Sequence, residues 1–208
     1  MTEGRGSGSR LLALVVGIGG LALLLLLGGR VLSASWSGVQ SGPPTPTRQL
    51  AGLWGTYQQA QTAVTAAGID LQPISAASHW ESPDGETLRS GRGEWTFVFY
   101  DSAEKEALDV VVSEGAGRIV DRNRIWEAPE ILAEEVVWRG PQEAVAIFLT
   151  CGGEEFLAAH SEAIVAAHLG VGDAGRPVWT VSAINVADHD VLSVMMDAET
   201  NRVLVTSP

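Results

Sequence analysis

The first strong pattern along the chain is an unbroken apolar run. Residues 11–29 are all Leu, Val, Ile, Ala or Gly. A helix of about 19 residues, at 1.5 Å each, spans roughly the 30 Å hydrocarbon core of a bilayer. Arg10 and Arg30 bracket the run, and Trp36 suits the interface behind it. The pattern predicts a transmembrane helix over 11–29. A cleaved secretory signal is the rival reading, with Ser33 and Ser35 as small residues before a cut. The run exceeds the usual apolar stretch of such signals, and Arg30 fits poorly behind it, which favours a retained anchor. Arg5 and Arg10 bias residues 1–10 toward the cytoplasm and everything beyond the span toward the outside. Residues 30–48 are rich in Pro, Gly and Ser and read as a partly stiffened linker.

Past the linker the period changes to three and four. Leu53, Tyr57, Ala60, Val64 and Ala67 share one face of a helix predicted over 50–67 and stopped by Gly68. A second helix is predicted over 141–151. Pro141 opens it, where a missing N–H costs nothing, and Gly152 and Gly153 stop it. Alternation then takes over. Trp95, Phe97 and Phe99 interleave with Thr96, Val98 and Tyr100, which predicts a strand with one buried face. Further strands are expected over 73–80, 107–112, 178–186, 191–196 and 202–206, with polar turns around Lys105 and at Asp188-His189-Asp190. Residues 163–171 read as a strand, although 154–169 is also compatible with a helix.

The chain matches itself at an offset of 84 residues. Trp54 aligns with Trp138, Gln58 with Gln142, Trp95-Thr96 with Trp179-Thr180, and Arg118 with Arg202. Two copies of one unit are therefore predicted over 49–120 and 134–208, joined by an acidic connector over 121–133. The second copy ends in a strand, then Asp197-Ala-Glu-Thr-Asn201, then a short apolar run. This ending resembles the PepSY family, with Asn201 where glycine is usual. The resemblance implies two αβββ repeats in an α+β protein, each with its helix packed on a small antiparallel sheet. It also implies non-catalytic extracytoplasmic modules that inhibit or chaperone a peptidase.

Composition narrows the function. The whole chain of 208 residues carries a formal charge of −12, and the part beyond residue 30 is near −14. Such a surface repels nucleic acid and anionic lipid headgroups. The single cysteine, Cys151, excludes an internal disulfide. A single lysine, Lys105, against twelve arginines suggests a GC-rich bacterial source.

No nucleophile elbow, phosphate loop or HExxH spacing is present, and Gly115-Ala-Gly117 reads as a turn. His160 and His168 are weighed as a zinc pair and Asp188-His189-Asp190 as a chelating turn. A solvated hairpin is the preferred reading of the latter, and no metal or cofactor is expected. Glu127, Glu130, Glu134 and Glu135 read as a solvated linker and not as a glycosidase pair. Trp80 and Trp126 have no tryptophan counterpart in the other copy and are the candidate partner-contact residues.

The expected protein is thus not an enzyme. It sits in the bilayer through residues 11–29, or is secreted if the signal is cleaved, and its ectodomain binds and regulates another envelope protein. The alternative is a structural accessory subunit of a membrane complex.

Overall fold

Alternation and turn chemistry build most of what is seen. The computed structural model describes residues 52–67, 71–132, 139–173 and 175–207, with the side chains of 52–54 excepted. The predicted span over 11–29, its flanks 1–10 and 30–48, and Trp36, Gly68, Glu134, Glu135 and Trp138 lie outside the described residues. Among the described residues no helix is long and apolar enough to cross a membrane.

The elements follow in the order α1 (Gly52–Ala66), β1 (Gln72–Glu81), α2 (Gly85–Ser90), β2 (Trp95–Asp101), β3 (Glu106–Ser113) and β4 (Ala116–Arg124). After a long connection come α3 (Pro141–Phe148), a π-type turn (Leu149–Gly153), α4 (Glu154–Ala159), β5 (Ile164–Val171), β6 (Pro177–Ile184), β7 (Val191–Asp197) and β8 (Val203–Ser207). Gly152 carries the kink at φ 106°. Gly153 lies so close to the Phe148 ring that a Cβ there would sit 2.6 Å from it, so no other residue fits without movement.

The expectation of two αβββ units, each on its own small sheet, is overturned. All eight strands form one antiparallel sheet in the order β4-β3-β2-β1-β5-β6-β7-β8. The join is β1 with β5, in register from Ala76 opposite Leu169 to Glu81 opposite Ile164. Pairing there removes a bare inner edge from each half, which is the physical reason one sheet replaces two. The first half has four strands and not the three expected, and the second has the four its pattern predicts, one more than an αβββ unit. β4 occupies part of the stretch expected as a connector, and it is exposed along most of its length. An edge strand of that kind needs no apolar alternation.

Every described helix that packs on the sheet lies on one face. Tyr57 of α1 stacks on Phe99 at 6.0 Å and meets Phe97 at a tilt at 5.8 Å, and Val145 and Phe148 of α3 complete the same core. Burying side chains of this size stabilises by roughly 1.5–3 kcal/mol each.

Three turns share one device. Asp101, Asn185 and Asp197 each accept backbone N–H bonds from residues two or three further on, and the fifth residue of each turn is left-handed: Lys105 at φ 56°, His189 at 67° and Asn201 at 60°. A short polar side chain that bonds its own backbone favours such turns.

Candidate functional site

Cross-strand register decides which residues share the face that no described helix covers. One row crosses all eight strands. It runs Arg118, Val111, Thr96, Ala77, His168, Thr180, Met195, Val205, each directly opposite the next. Beside it runs a shorter row of His79, Ala166, Ser182, Ser193 and Ser207. The Ser182 and Ser193 hydroxyls bond each other at 2.8 Å. Neither row holds an acidic residue, in a domain near −14. The charged groups stand at the margins: Asp109 opposite Asp121 on β3 and β4, and Glu81 at the end of β1.

His168 lies near the middle of this face. Its ring folds over Gly170, where a Cβ would meet Cε1 at 2.7 Å. Burial holds its pKa below the ordinary value of 6.5, so the imidazole stays neutral at physiological pH. At the margin, burial and the facing Asp121 carboxylate both push Asp109 above the usual carboxylate range.

The two tryptophans proposed as contacts part company. Trp126 is 88% exposed, with the Arg124 guanidinium 5.9 Å above its ring. Trp80 is not a surface residue. It is 6% exposed, its Nε1 donates to the Arg92 carbonyl at 2.7 Å, and its ring meets Trp95 edge-on at 6.2 Å. It belongs to the inward series Ala76, Ser78, Trp80, and its alternation with exposed His79 and Glu81 is a signal that could have placed it there.

The histidines do not converge as a pair. His160 meets Asp188 and Asp190, without His168, and this is the group among the described residues with metal-ligating geometry. Cys151 is partly buried beside the core. A surface cleft of about 500 Å³ opens between the Ser82–Gly85 turn and α4. Its acids already have structural partners: Asp84 accepts from Thr87 N at 2.7 Å to cap α2, and Glu154 pairs with Arg89. The cleft therefore offers shape but no activated nucleophile.

No family model matches the sequence, and no curated protein matches it. The resemblance to PepSY proteins therefore rests on the quoted residues alone. Among solved structures, the fold is similar to a candidate lipoprotein from Clostridium difficile 630. The two are 13% identical, the match covers 73% of this chain and 91% of that one, and the TM-score is 0.44. At that distance the likeness carries no argument about function.

Proposed function

We propose that this chain is a membrane-associated, extracytoplasmic binding protein without catalytic activity of its own, and that it holds a folded envelope protein against the open face of its sheet. One observation carries the reading: a row without acidic residues, charged only at Arg118 on its edge strand, spans eight strands of a strongly acidic domain. Depletion of charge at the centre with charge at the rim is the compositional mark of a protein interface. Strands about 4.8 Å apart and about seven residues long give this face roughly 850–900 Å², close to the about 800 Å² that each partner contributes to a standard interface. The apolar run over 11–29 supports a place at the membrane surface. The resemblance to PepSY proteins makes a peptidase the first class of partner to test.

The test is crosslinking in native membranes with the full chain, followed by quantitative identification of captured proteins. Thr180→Glu puts a charge at the centre of the face at a half-buried position. Specific capture by the wild type, lost in Thr180→Glu, supports the proposal. Capture that survives Thr180→Glu but disappears when residues 11–29 are exchanged for another apolar run replaces it with the accessory-subunit reading. Recovery of abundant proteins alone, unchanged by either alteration, ends it.

A further inference from the structure

The turn between β6 and β7 closes onto the end of α4, and three potential metal ligands meet there. His160 follows α4 directly. Its side chain is 18% exposed, and its ring is braced by Phe156 at 4.6 Å. Asp188 and Asp190 come from the turn. Asp188 Oδ2 lies 3.6 Å from His160 Nδ1, and Asp190 Oδ2 lies 3.6 Å from Nε2. The three groups offer ligand atoms that lie within 4.8 Å of one another.

Three features distinguish this from ordinary acidic surface. The separations exceed the 2.7–3.2 Å of an N–H···O bond. The Asp190–Nε2 separation is close to the roughly 3.4–3.6 Å between two ligands that each stand about 2.1 Å from one ion at tetrahedral or slightly wider angles, and Asp188, now nearer Nδ1, swings its carboxylate toward the same ion. Second, the carboxylates have no competing counter-ion: among the described residues neither forms an ion pair with Lys or Arg. Asp188 is also pre-aimed, because its Oδ1 accepts from Asp190 N at 3.1 Å while Oδ2 faces the ring. Third, the Asn185 amide meets His160 Nδ1 at 2.9 Å. An orienting partner on the far nitrogen is the second contact that ligand histidines need.

We propose that His160 Nε2, with the carboxylates of Asp190 and Asp188, binds one divalent transition-metal ion of the zinc class and pins the β6–β7 turn to α4. With the ion on Nε2, Nδ1 keeps its proton, and Asn185 turns its amide to present oxygen to it. That rotation gives up the 3.3 Å bond from Ala187 N to Asn185 Oδ1 and the bond from the Asn185 side chain to the Asp188 carboxylate, which the ion then neutralises. One imidazole nitrogen with carboxylate oxygens suits zinc, cobalt, nickel or copper better than magnesium or calcium. Water completes the coordination sphere. The site is independent of the open-face reading.

The test is calorimetric titration of the full chain in detergent with zinc chloride after chelator treatment, beside magnesium and calcium. One equivalent of zinc should bind and raise the melting temperature. Asp190→Asn and His160→Gln should each weaken binding at least about ten-fold, while His168→Gln leaves it unchanged. Asp190→Asn alters an exposed turn residue and keeps the test valid if His160→Gln fails to fold. Absence of zinc binding overturns the proposal. So does binding that persists in both site variants, or that magnesium and calcium reproduce, since either reports the acidic surface at large.

Discussion

Trp95 and Trp179 meet edge to face, with ring centroids 6.1 Å apart at 80°, although they stand on β2 and β6 with two strands between them. Small residues make this reach possible. Ser78 lies opposite Trp95 and Ala167 opposite Ser78, while Trp179 stands one row along, opposite Leu169, so the indoles lean diagonally toward each other over the low floor of the small Ser78 and Ala167 side chains. Both rings are buried, at 3% and 0% exposure. Truncating Trp179 to alanine should cost about 3–5 kcal/mol in urea denaturation. A double-mutant cycle with Trp95→Ala should return a coupling of about 0.5–1.5 kcal/mol. Ala167→Leu should cost about 1–3 kcal/mol by raising the floor.

Asp109 faces Asp121 across β3 and β4. Like charges placed directly opposite destabilise a strand pair by roughly 0.2–1 kcal/mol. Asp109→Asn should therefore stabilise the protein by that order at pH 7. Because the folded state raises the pKa of Asp109, it takes up this proton before the unfolded chain does as pH falls. The advantage of the variant should shrink as pH drops through the raised folded value. Denaturation at pH 7 and pH 4 measures both points.

His168 predicts the opposite slope. Its folded pKa lies below 6.5 because burial disfavours the charged ring. Acidification through 6.5 protonates the unfolded chain first, so stability falls until the folded pKa is passed. His168→Gln should lose less stability than the wild type between pH 7.5 and pH 5.5 in parallel urea titrations.

Asn201 is left-handed at φ 60°, and its Nδ2 reaches the Glu143 carboxylate. Asn201→Ala should cost about 1–2 kcal/mol, since a Cβ residue without a bonding side chain pays the full left-handed penalty. Asn201→Gly should stay within a few tenths of the wild type, with the lost Glu143 contact offset by relief of strain. Thermal melts of the three proteins separate these outcomes.

Local order was legible where burial imposes a period. Trp95, Phe97 and Phe99 announce β2, and Pro141 announces α3. β4 was missed because Arg118, Asp121, Arg122 and Arg124 give an exposed edge no alternation to display. α2 was missed although its signals exist: Asp84 caps its start, and Gly91 ends it at φ 62°. The union of two sheets into one has no local signature, because β1 and β5 each read as a buried strand whatever partner they find. The open-face row needs register across all eight strands, and the His160 cluster needs α4 and the β6–β7 turn placed in space. Neither relation is periodic, so neither shows in a linear reading.

The β1–β5 join has a consequence for how the protein is made. Ala76 waits for Leu169, and Glu81 waits for Ile164. Contacts so distant along the chain form slowly. A growing polypeptide therefore presents the bonding edge of β1 long before β5 exists, and a bare strand edge recruits whatever strand it meets. The pair at the middle of the finished sheet is the one most open to misassembly during synthesis.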